Sequence, residues 1–249
     1  MENNKNQFPS EVVTLPSKGL LYPEDSPLRN GTIEMKYMTA KEEDILTNQN
    51  LIENGTVIDK LLQSLIVTPI DYKSLLTGDK NAILVAARVL GYGKDYTFEY
   101  NGEEITVDLT SVEDKVIDET AISNGENKFD YTLPASEIPV TFRFLTHEDE
   151  QKIQAEITGL KKLNKNAGRE ITTRMKHVIT SINGDSSSKT IRDFVDTKLL
   201  ARDARELRNY IKTIQPDVDL TFDHEDRRGK FTKVTIPIGL RFFWPDVEL

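Results

Sequence analysis

The 249 residues are enough for one large domain or two of ordinary size. Hydrophobic residues make up 37 % and charged residues 29 %, and aromatics and branched aliphatics occur throughout, which excludes wholesale disorder. Acids outnumber bases 41 to 32, a net charge of −9 that argues against nucleic acid as a partner, and the zero Cys count excludes disulfides, thiolate metal sites and Cys nucleophiles. No apolar run approaches the roughly 18 residues of a spanning helix, so no membrane insertion is expected. The Asn-rich start shows no secretory signal, and the expected setting is the cytosol.

Residues 1–30 read as an extended arm. Pro9, Pro16, Pro23 and Pro27 prevent a helix there, while Val12, Val13, Leu15, Leu20, Leu21 and Tyr22 are apolar teeth. The arm either wraps its own body or lies along a partner. Leu15, Leu20, Leu21 and Tyr22 are therefore partner-binding candidates.

A first α+β repeat is expected over 31–109. A strand alternates from Ile33 to Tyr37, and Thr39 with Glu42 forms a capping box that opens a helix over 41–48. Further helices are expected over 57–64 and 80–90, the last with Asp79 as N-cap and Gly91-Tyr92-Gly93 as C-cap and turn. A hairpin follows, its strands over 96–100 and 103–109 joined by Asn101-Gly102. Residues 110–127 are acidic and read as a linker.

The second α+β repeat spans 128–249. Phe129 to Leu133 reads as an edge strand closed by Pro134, and the alternation from Val140 to Leu145 reaches Thr146, a weaker capping box with Asp149. Three apolar stripes follow: Ile153, Ile157, Leu160; then Ile171, Met175, Val178, Ile182; then Leu200, Ala204, Leu207, Ile211, Ile214. Asp185 to Lys189 is a polar loop between two helices. The end carries Phe242, Phe243 and Trp244, the only Trp, as a final edge strand of the core or as an interface anchor.

The two repeats match in order, which predicts a tandem duplication of a strand–helices–hairpin unit. Thr39 matches Thr146 at an offset of 107 residues; Asp79 matches Asp203 and Phe98 matches Phe222 at an offset of 124. Ile105-Thr-Val107 then resembles Val234-Thr-Ile236, and the second copy has longer helices.

A search for a reaction comes back empty. His147, His177 and His224 form no metal-spaced pair, and all three read as surface or cap residues. No nucleophile elbow, Walker loop or dinucleotide fingerprint occurs. The acid clusters Glu42-Glu43-Asp44 and Glu148-Asp149-Glu150 each follow a Thr, where acids complement a helix N-terminus. No enzymatic activity, metal or cofactor is expected.

Leu15-Pro-Ser-Lys-Gly19-Leu-Leu-Tyr22-Pro23, Leu76-Thr-Gly-Asp79-Lys80 through Arg88-Val-Leu-Gly-Tyr-Gly93, and Phe242-Phe-Trp-Pro245 are similar to segments of T-even-type contractile-phage baseplate hub proteins. Some relatives carry a Cys pair where this chain has Asn101-Gly102, so no metal ribbon is expected here. The resemblance implies a non-enzymatic protein of the host cytoplasm that helps build the tail baseplate hub. It would bind other hub or tail-assembly proteins, or itself, as a virion subunit or as an assembly factor. A cytoplasmic chaperone for tail or tape-measure proteins, absent from the virion, is the alternative.

Overall fold

In the computed structural model, which describes residues 9–122, 125–163, 168–225 and 229–243, apolar alternation builds a first small sheet. Strand β1 (Ser10–Thr14) runs antiparallel to β2 (Thr32–Lys36) with Val13 opposite Ile33. Ile33 and Met35 turn their side chains into the core, while Val12 on the outer edge stays exposed. Ile66 and Val67 add a minimal third strand: Met35 bridges Ile66, and the Val67 N–H donates to the Glu34 carbonyl at 2.8 Å.

Four helices follow: α1 (Ala40–Leu46), α2 (Gln49–Glu53), α3 (Val57–Leu65) and α4 (Thr77–Tyr92). Gly93 closes α4 with φ of 84°, as expected of a C-cap glycine. Asp79 is not the N-cap. That position is Leu76, and Asp79 sits inside the first turn with its carboxylate turned back into the core. Strands β3 (Asp95–Tyr100) and β4 (Glu103–Asp108) form the hairpin, and Asn101 and Gly102 take φ of 52° and 80°, both positive as a two-residue turn of this hand requires.

Strands β5 (Phe129–Thr132), β6 (Pro139–Phe142) and β7 (Ile179–Ile182) form a three-stranded antiparallel sheet with β5 on the edge. Between β6 and β7 run α5 (His147–Leu163) and α6 (Glu170–Val178). The stripe from Ile171 to Ile182 is therefore not one helix: α6 stops at Val178 and Ile182 lies on β7, while Ile171 is exposed. The polar loop at 185 leads from this strand, not from a helix, into α7 (Ser188–Thr197). Then come α8 (Ala201–Ile214), the hairpin β8 (Thr221–Glu225) with β9 (Phe231–Thr235), and the short α9 (Leu240–Phe243). The end of the described chain is thus helical where an edge strand was expected.

The acidic stretch expected as a linker is ordered against the second half. Ile122 is buried, the Lys115 N–H donates to the Asp217 carbonyl at 2.8 Å, and the Asp219 N–H donates to that of Glu113 at 2.7 Å. A second seam lies at the start of α4, where the Thr77 N–H reaches the Leu145 carbonyl and the His147 N–H reaches that of Leu75, at 3.1 and 2.8 Å. One continuous apolar cluster runs from Leu15 through both sheets to Phe243.

Candidate docking site

The sequence candidates for partner binding that lie among the described residues pack within the molecule. Leu15, Leu21 and Tyr22 are buried, and Leu20 is half-buried against the same core. The prolines hold this segment out of a helix, so it crosses the molecule as turns. The Ser17 N–H and Oγ donate to Asp79 at 2.9 and 2.7 Å, and the Tyr22 hydroxyl does so at 2.7 Å while accepting from the Leu76 N–H at 3.0 Å. Presentation of Leu15, Leu21 and Tyr22 to a partner is corrected: these side chains anchor the arm to its own body. Phe242 and Phe243 are fully buried, Phe242 edge-on to Tyr96 at 4.8 Å between ring centres, so they too belong to the core. Trp244 lies outside the described residues.

The repeat markers occupy matching local settings. The Thr39 N–H and hydroxyl donate to Glu42, and those of Thr146 donate to Asp149. Each of these carboxylates also takes a cation six residues back, Lys36 at 2.9 Å and Arg143 at 2.6 Å. Asp79 accepts from the Ser17 N–H, and Asp203 from the N–H groups of Ala135 and Ser136 at 2.7 and 3.1 Å. Phe98 pairs with Ile105 across its hairpin and Phe222 with Val234 across the other, and the two Phe rings meet edge-on at 6.3 Å.

His147 is not a surface residue. It is 4 % exposed at the start of α5, with Nδ1 3.3 Å from the Lys80 ammonium, Nε2 3.4 Å from Asp59, and the Tyr72 ring edge-on at 4.7 Å. Burial, and then Lys80, push its pKa below the ordinary value, which keeps the ring neutral at pH 7. The cluster lies where α3, α4 and α5 meet and ties the two halves together. His177 and His224 are half-buried, facing Glu156 and Glu103 at 3.3 and 3.5 Å. Among the described residues, no three His, Asp or Glu side chains are gathered as a metal site would need.

A different feature is open to solvent. At the seam between the halves lies a cleft of about 260 Å³, floored by Leu145, Met175 and Ile211 and walled by cations. Lys115 comes from the ordered acidic stretch, Arg143 from the end of β6, Arg174 from α6, and Arg208 and Lys212 from α8. Three of the five are paired: Lys115 with Asp217 at 3.3 Å, Arg143 with Asp149, and Arg174 with both oxygens of Glu150. Among the described residues, Arg208 and Lys212 have no carboxylate within ion-pair distance. The sequence reading missed this site because its cations are spread over a hundred residues and are outweighed by the chain's net acidity. The one local signal was the pair of basic residues four apart on the polar side of a strongly amphipathic helix.

No characterised protein and no solved structure matches the chain. A family model does match, over residues 10–244, and therefore covers both halves, the cleft and the arm from residue 10 onward. Its description is "T4 bacteriophage base plate protein", and the chain belongs to that family of phage baseplate proteins.

Proposed function

We propose that the chain helps assemble the central hub of the tail baseplate in the host cytoplasm by binding other hub proteins, and that it catalyses no reaction. The family match over residues 10–244 supports a baseplate role, and the resemblance of the 15–23, 76–93 and 242–245 segments to hub proteins supports placing that role at the hub. Two structural features support a binding role. The buried polar groups Asp79, Asp203 and Glu42 are spent on holding elements together. The open cleft at the seam offers cations and apolar surface to a neighbour. We also propose that the chain is a tandem duplication, supported by the matched capping residues, the matched carboxylates in α4 and α8, and the matched hairpin registers.

The test is a phage with an early stop codon in this gene, its lysate viewed by electron microscopy. Baseplates lacking a central hub are expected; complete, contractile tails would overturn the proposal. Mass spectrometry of purified wild-type particles then separates the roles. Peptides at fixed stoichiometry make the chain a hub subunit, whereas absence from particles with presence in the lysate makes it an assembly factor.

A further inference from the structure

The cleft at the seam has the opposite charge from the rest of the molecule. A chain of net charge −9 places five cations from four segments around one opening, and among the described residues three of them are paired with carboxylates. Arg208 and Lys212 stand one turn apart on α8, where like charges repel and, among the described residues, no carboxylate pairs with either. The paired cations are held in place: Arg174 by a two-pronged contact with Glu150, Arg143 by a carboxylate that is itself buried. Between them, Met175 and Leu145 are buried and Ile211 is half-buried, so the floor is apolar.

We propose that this cleft is the docking site for an acidic segment of a partner protein, in which carboxylates flank one apolar side chain. The apolar residue would sit on the Leu145–Met175–Ile211 floor, and its flanking carboxylates would meet Arg208 and Lys212. The volume of about 260 Å³ suits one or two side chains and is too small for a folded domain. Two observations favour a peptide over nucleic acid. Phe144 lines the cleft but is only 2 % exposed, so its ring offers no open face for a base to stack on, and the acidic surface beyond the cleft repels a long polyanion. Charge complementarity would set the rate of encounter and the register, and the apolar anchor most of the residence time. This inference rests on the reading of the chain as a protein-binding baseplate component and names the chemistry of its partner.

The full-length chain is tested by fluorescence anisotropy against a short labelled peptide alternating Glu with Leu and Phe. Arg208→Glu with Lys212→Glu should weaken binding at least roughly tenfold, while the same reversal at exposed Lys189 and Lys198 should leave it unchanged. Arg208→Gln with Lys212→Gln is the milder pair should the reversal disturb folding, which a melting curve reads. A peptide alternating Glu with Ser should bind more weakly than the apolar one. Equal binding by wild type and both cleft variants overturns the proposal. So does an oligonucleotide that displaces the peptide at lower concentration, or a self-association in ultracentrifugation that the cleft variants abolish. Complementing the stop-codon phage with the reversed gene separates the two readings. Lost peptide binding with normal hubs would leave the cleft assignment standing and remove its role in assembly, whereas unchanged peptide binding overturns the cleft assignment whatever the phage does.

Discussion

Two buried carboxylates in this molecule take opposite shifts, set by the balance between burial and the donors around each. Glu42 is fully buried, and burial alone would push its carboxyl up. Four donors answer it: the Thr39 hydroxyl and N–H at 2.6 and 3.0 Å on one oxygen, Ser64 and the Lys36 ammonium at 2.7 and 2.9 Å on the other. They hold its pKa down at about 2, against an ordinary value of 4.5. Asp79 is buried more deeply and accepts three hydrogen bonds but, among the described residues, no ion pair, so burial outweighs its donors and its pKa is raised. For Glu42 the folded value lies below the unfolded one, so its contribution is complete above about pH 5 and is lost as pH falls through the folded value near 2. The difference corresponds to roughly 3 kcal/mol at most. Urea titrations should therefore show Glu42→Gln less stable than wild type at neutral pH, with the gap closing as pH falls toward about 2. A gap that stays constant over that range would show that the carboxylate charge does not supply the stabilisation.

At the scale of elements, the two hairpins meet through matching side chains. Phe98 of β3 and Phe222 of β8 lie edge-on at 6.3 Å, and Tyr100 faces His224 at the same distance. Edge-to-face aromatic pairs are worth about 0.5–1.5 kcal/mol beyond their area burial. A double-mutant cycle with Phe98→Leu and Phe222→Leu should return a coupling in that range, and additive losses would mean that the hairpins stand on separate supports. The hairpins were legible because Asn101-Gly102 permits only one tight turn between alternating strands. Helices α1, α3 and α4 were legible from caps and period. The Met175–Val178–Ile182 spacing misled, because a 4-3-4 pattern continues through the end of α6; the β-branched run of Ile179-Thr180 was the physical hint that the backbone had become extended. The arm's apolar teeth were visible, but which surface they meet depends on Asp79 and Leu76, more than fifty residues away. The cleft was illegible for the same reason, since only the fold collects its cations.

Across the whole molecule, the two halves behave as one body because backbone meets backbone at their seam. Gly78, in the first turn of α4, faces the Pro216 carbonyl just beyond the end of α8. A Cβ placed on Gly78 would stand 1.9 Å from that oxygen and 2.9 Å from the carbon, and neither atom belongs to a side chain that could turn aside. Local propensity and packing here predict opposite signs. In a helix, Ala is favoured over Gly by about 1 kcal/mol, so Gly78→Ala would stabilise α4 if the helix stood alone. Forcing α4 and the 214–218 segment apart instead costs at least the 1–3 kcal/mol typical of overpacking, and more where backbone must move, roughly 3 kcal/mol or above. The same displacement would strain the neighbouring cross-half bonds of Asn81 to Asp217 and Lys115 to Asp217. Gly78→Ala should therefore lower the midpoint of urea unfolding while the wild type unfolds in a single transition seen alike by circular dichroism and calorimetry. A stabilised variant, or two separate transitions in the wild type, would mean that the halves do not press together at this seam and that the cleft between them is not held in one shape.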